Sequence, residues 1–133
     1  MTTTTQTRDP ISNVLDKDET FSMIASDKVE GTAVFDSKGE KLGTVRTVMI
    51  GKYDGKVRYV IMGFGGLFGM GEDNYPLPWE SLDYDTKLDG YKMKTLTRDH
   101  LEKDKAPSFG RTEEPDWSDD FDRTIRLYYF RTA

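Results

Sequence analysis

Lys41-Leu42-Gly43-Thr44-Val45-Arg46-Thr47-Val48-Met49-Ile50-Gly51, then Lys52-Tyr53-Asp54-Gly55, then Val57-Arg58-Tyr59-Val60-Ile61-Met62-Gly63-Phe64 is the stretch that decides the fold. Two apolar-rich runs flank an Asp-Gly turn, which predicts a β-hairpin. In the second run Val57, Tyr59 and Ile61 point one way, and Arg58, Val60, Met62 and Phe64 the other. The first face is apolar throughout; the second starts charged and turns apolar. A strand apolar on both faces is covered on both sides. In so short a chain the second cover is the C-terminal segment or another subunit. Gly43 between Leu42 and Val45 marks a bulge or a sharp bend, as expected where a small sheet curls.

Working outward, Ser26 to Gly31 reads as one helical turn, with Ser26 as cap and Gly31 as stop. Thr32 to Phe35 is a strand, turned by Asp36-Ser37-Lys38-Gly39 into the central hairpin. Downstream, Asn74 to Trp79 carries Pro76 and Pro78, whose missing N–H groups lie on one side and assign an edge strand. Leu82 to Asp85 and Tyr91 to Leu96 form a last hairpin around Lys87-Leu88-Asp89-Gly90. Thr97 caps a helix over Arg98 to Lys103, with Leu96 and Leu101 at the spacing of a hydrophobic staple. Six of the eleven residues from Thr112 to Asp122 are acidic, marking a solvated connection. A short amphipathic helix follows from Asp119 to about Phe130. Its apolar stripe is Phe121, Ile125 and Tyr128, and Asp119–Arg123 and Asp122–Arg126 are i,i+4 pairs. The expected class is all-β: a small antiparallel β-barrel of about six strands with a short C-terminal helical extension.

The 133 residues fit one domain. Residues 1–20, rich in Thr, Asp and Lys, read as a disordered tail; 21–110 hold the barrel, and 111–133 the acidic connection and helix. No export signal is visible in the tail, and the longest uncharged stretch, Tyr59 to Gly71, has thirteen residues, too few for a helix across a bilayer. A soluble cytoplasmic protein is expected. The absence of cysteine removes disulfides and sulfur-ligated metals. A net charge of −5, with scattered bases, disfavours nucleic acid and anionic lipid.

No constellation points to catalysis. The glycines 63, 65, 66, 69 and 71 lack the G-x-G-x-x-G order, a following Lys-Ser/Thr and a helix N-terminus, so they do not make a phosphate loop. Asp83, Asp85 and Asp89 miss the calcium-loop pattern, with Lys87 and Leu88 where an acid or amide and a glycine are needed. His100, the single histidine, has no second ligand, and Glu72-Asp73 read as solubilising charges at a loop tip. Trp79, Trp117 and Tyr128-Tyr129 are too dispersed for a stacking platform and read as core and lid residues. Phe64, Leu67, Phe68 and Met70 are different. Large apolar side chains set between glycines make a candidate partner contact, or else a loop that packs over the barrel mouth. No catalytic, cofactor-binding or metal-binding residue is assigned, and no cofactor is expected.

Taken together, Ser26-Asp27-Lys28-Val29-Glu30-Gly31, Gly39-Glu40-Lys41-Leu42-Gly43-Thr44-Val45, Gly55-Lys56-Val57-Arg58-Tyr59-Val60, Phe64-Gly65-Gly66-Leu67-Phe68-Gly69-Met70-Gly71 and Pro76-Leu77-Pro78-Trp79 resemble the PRC-barrel family. The resemblance runs from about Ser22 to Leu96. Pro107-Ser108-Phe109 and Asp116-Trp117 are similar to the tail of stand-alone bacterial members. It implies a compact barrel serving as a non-enzymatic assembly and binding module. Relatives cap the photosynthetic reaction centre as its H subunit, or touch ribosomal protein as part of a maturation factor. The expected partners are a second copy, in a homodimer, and another protein or a membrane protein complex, without direct membrane insertion. An accessory role in photosynthetic or respiratory electron-transfer complexes is the alternative. No family catalytic residue exists to carry over.

Overall fold

The computed structural model describes residues 22–64, 73–103 and 105–131. Six strands run in chain order: β1 (Ala33–Phe35), β2 (Lys41–Ile50), β3 (Val57–Phe64), β4 (Asp73–Pro78), β5 (Leu82–Asp85) and β6 (Gly90–Met93). Helices α1 (Ser26–Val29), α2 (Arg98–Lys103) and α3 (Asp119–Arg131) accompany them. The strands form one sheet in the order β4-β3-β2-β1-β6-β5. Its two edges, β4 and β5, are joined by a single 3-10 turn, Trp79–Ser81. Laid flat, six strands would hold their edges about 24 Å apart, whereas the step from Pro78 to Leu82 spans at most about 14 Å. The sheet therefore curls into a half-barrel whose edges meet at this corner.

The curl is built from irregular pairings on β2. Its register shifts against β1 between Val34 and Phe35, opposite Gly43 and Lys41. Against β3 it shifts between Val45 and Thr47 and again between Met49 and Ile50. Each added residue bends the strand and raises its twist. Gly43 is required beside the first bulge. A Cβ there would collide with the Gly63 carbonyl oxygen of β3. At the β2–β3 turn the left-handed residue is Gly55, at φ +71°, while Asp54 accepts from the Lys56 N–H and the Arg58 guanidinium.

Both faces of β3 are buried. Val60 and Met62 have no exposed surface, and Tyr59 and Ile61 are nearly as deep. Of the two covers the pattern allowed, the C-terminal segment is one that the structure puts in place, because Ile125 and Tyr129 of α3 lie in the same core as β3, Leu77, Met93 and Leu101. Val60 and Met62, on the second face of β3, are thus covered from within the chain.

Four details differ from the sequence reading. β1 and β6 pair in parallel, through Val34↔Tyr91 and Phe35↔Lys92, in an otherwise antiparallel sheet. Ser26 is the first residue of α1, not its cap, and Ala25 precedes it with no side-chain bond. The last strand, expected over Tyr91 to Leu96, runs over Gly90–Met93. Arg123 pairs with Asp120 at 2.8 Å and i,i+3, while the expected Asp122–Arg126 pair forms at 3.2 Å.

Candidate functional site

Asp36 is the most buried acid among the described residues, with no exposed surface. Its Oδ1 accepts from the N–H groups of Lys38 and Glu40, both at 2.9 Å, and its Oδ2 from the Arg98 N–H at 3.0 Å. Burial alone would raise its pKa. The hydrogen bonds from Arg98, Glu40, Lys38 and Gly39 outweigh that and hold the carboxyl below the ordinary aspartate range. With Ser37 N–H donating to the Leu96 carbonyl, the acid ties the β1–β2 turn to the start of α2. It is a structural knot.

The residues weighed for chemistry take similar structural positions. Asp85 Oδ1 accepts from the N–H groups of Lys87 and Leu88 and closes its turn. Asp89 accepts from the Tyr84 hydroxyl at 2.7 Å, and Asp83 faces Lys94 at 3.8 Å. His100 Nδ1 accepts from the Thr97 N–H while Thr97 Oγ1 accepts from the His100 N–H. This is the reciprocal exchange of a capping box, with imidazole in the glutamate's place. Among the described residues no three metal-ligating side chains cluster.

Phe64 does not fit the expected partner contact. Its ring is buried, edge-on to Tyr75 at 5.1 Å, with the Arg98 guanidinium 5.3 Å above it. Strand pairing explains this, because Phe64 and Tyr75 lie on the same face of neighbouring strands and side chains on that face meet. Leu67, Phe68 and Met70 lie outside the described residues.

A second surface forms where the C-terminal segment crosses the barrel. At the outer edge of β4, Asn74 donates to and accepts from Phe109, both at 2.9 Å. Alternate residues of a strand turn their backbone groups the same way. Pro76 and Pro78 therefore stand at the outward positions beyond Asn74 and close the rest of that edge. Seven residues after Gly110, Trp117 stacks on Tyr59, centroids 5.6 Å apart and planes at 29°. Phe109 and Phe121 meet the indole at 5.8 and 5.7 Å. The backbone of Trp117 is left-handed, at φ +55°, uncommon for a bulky residue. Its indole N–H donates to Glu114, and Ser118 caps α3 by accepting from the Phe121 N–H. The Arg126 guanidinium lies 5.8 Å from the Tyr59 centroid and is shared with Glu80 and Asp122. Beside the indole a cleft of about 230 Å³ opens between Met49, Ile50, Arg58 and Ser118. Sequence reasoning gave Trp117, with Trp79 and Tyr128-Tyr129, core and lid roles; the structure stacks it on Tyr59. The tyrosine beneath it went unnoticed, because Tyr59 looked like any alternating strand residue.

A family profile described as PRC-barrel domain matches residues 21–99, and the half-barrel above is the architecture it implies. The span covers more than half of the chain. The chain belongs to the PRC-barrel family. No curated protein matches it. No helix among the described residues is long and apolar enough to cross a membrane.

Proposed function

We propose that the chain is a non-enzymatic interaction module, acting in the cytoplasm as a homo-oligomer. The observation that carries this reading is the employment of its titratable groups. Asp36 spends both carboxylate oxygens on backbone N–H groups, and Asp54, Asp85 and His100 each commit one acceptor atom in the same way, whereas a general acid or base works from an atom turned to substrate. The exposed surface also carries large apolar side chains, among them Ile50, Tyr53, Leu127 and Phe130. Such side chains are the usual raw material of a contact between proteins. The β3–β4 connection adds Leu67, Phe68 and Met70 in sequence, and the self-contact is assigned there.

Sedimentation at tens of micromolar tests the reading and should find a dimer. Full burial of a phenylalanine contributes about 1.5–3 kcal/mol, so Phe68→Asp should weaken association by roughly tenfold or more. A monomer at every concentration, or a dimer indifferent to Phe68→Asp, removes this self-contact. Replacing His100, Asp83 or Asp85 with Ala should leave fold and association intact. An activity abolished by one of these changes would overturn the non-enzymatic reading.

A further inference from the structure

Residues 109–118 lie beyond the family-matched span, 21–99, and yet rest on the barrel in the manner of a bound peptide. Phe109 adds a bridge at Asn74, an outward-facing position of β4 that proline does not occupy. Trp117 inserts its ring against Tyr59, edge to face with Phe109 and tilted against Phe121. The segment is acidic, with Glu113, Glu114 and Asp116 leading to the indole; around the tyrosine it covers stand Arg58, paired with Asp54, and Arg126, paired with Glu80 and Asp122, and Asp119 and Asp122 also line the cleft.

The fit is imperfect in two respects. Trp117 is held in a backbone conformation that side chains other than glycine rarely adopt. The Tyr59 hydroxyl is buried without a hydrogen-bond partner, so the indole covers the tyrosine but does not satisfy it. The 230 Å³ cleft beside Trp117 leaves room for a larger or better-placed group.

We propose that this segment is a built-in competitor: it occupies in cis the groove on which the barrel takes a partner's peptide, one bearing an aromatic residue among carboxylates. Backbone addition at Asn74 supplies register, the Tyr59 ring supplies stacking, and an acceptor from the partner satisfies the Tyr59 hydroxyl. α3 stays in place through Ile125 and Tyr129 while the strap before it opens. The proposal rests on the reading of the barrel as an interaction module, and its tests do not depend on oligomeric state.

Two measurements on the full chain decide it. In native-state hydrogen exchange, the Asn74 and Phe109 amides should exchange through a local opening, at least about tenfold faster than the β2–β3 ladder. Exchange of both amides only by global unfolding overturns the proposal. In the second, a synthetic peptide of residues 107–120 is titrated into ¹⁵N-labelled wild type and Trp117→Gly, a change that keeps the left-handed backbone and deletes the ring. The peptide should bind the variant roughly tenfold more tightly than wild type, shifting the Tyr59 and Asn74 amides. The same peptide with alanine for its tryptophan should not bind. Equal affinity for both chains, or no binding to a folded variant, overturns the proposal. Should the variant fail to fold, the exchange measurement decides alone.

Discussion

Asp36 carries its charge with no exposed surface, and three backbone N–H groups within hydrogen-bond distance make that tolerable. Asp36→Asn would turn an amide donor or a weaker acceptor toward one of them, and should cost about 1–3 kcal/mol at neutral pH. The pH dependence has a definite sign. The folded pKa lies below the unfolded value, near about 3.9. The carboxylate's stabilisation is therefore fully present above that value and is lost as pH falls through the folded one. Urea titrations at neutral pH and at successively lower pH should show wild type losing its advantage over Asp36→Asn in acid. An unchanging gap would mean that the charge does not matter. Gly43→Ala drives a methyl into the Gly63 carbonyl, and should destabilise by at least about 1–3 kcal/mol in the same titration. Tyr129 predicts the opposite sign. Its hydroxyl is buried without a partner, and burial holds the phenol well above its usual pKa, so it stays neutral. Tyr129→Phe should leave stability unchanged or raise it by about 1 kcal/mol, and a loss would reveal a hydrogen bond at that hydroxyl.

At the scale of elements, local rules decide α2. Leu96 and Leu101 are both buried on either side of Thr97, and Thr97 and His100 exchange hydrogen bonds over the first turn. Thr97→Ala should lower stability by about 0.5–2 kcal/mol in thermal or urea unfolding, and His100→Ala by less, because the Thr97 oxygen remains. An effect of Thr97→Ala below experimental error would mean that tertiary packing alone holds the helix. The same locality explains what was legible in the sequence. The β2–β3 hairpin, the proline edge at Pro76 and Pro78, the bulge at Gly43 and the staple all announce themselves within a few residues. The parallel pairing of β1 with β6 joins Val34 to Tyr91 across the chain, and no nearby residue encodes that choice. Phe64 misled for a related reason: its glycine-rich neighbours suggested a loop contact, while its strand partner, and Tyr75 beside it, place it inside. The Tyr59–Trp117 stack likewise joins two residues whose surroundings in sequence say nothing of each other.

For the whole molecule, net charge and apolar contact make opposite demands. Each copy carries a formal charge of −5, so two copies repel at long range, and salt screens that repulsion with a Debye length near about 10 Å at 0.1 M. The described ion pairs close within the chain: Arg58 with Asp54, Lys94 with Asp83, Arg98 with Glu102, Arg123 with Asp120, and Arg126 with Glu80 and Asp122. The homodimer proposed above is assigned to apolar side chains and not to complementary charges. Its dissociation constant should fall as sodium chloride rises from about 0.02 to about 0.3 M, as screening removes the repulsion while burial is unaffected. Sedimentation velocity across that series reads the effect directly. A dimer that weakens with salt would instead be built on intermolecular ion pairs, and Leu67, Phe68 and Met70 would lose their assignment as its contact.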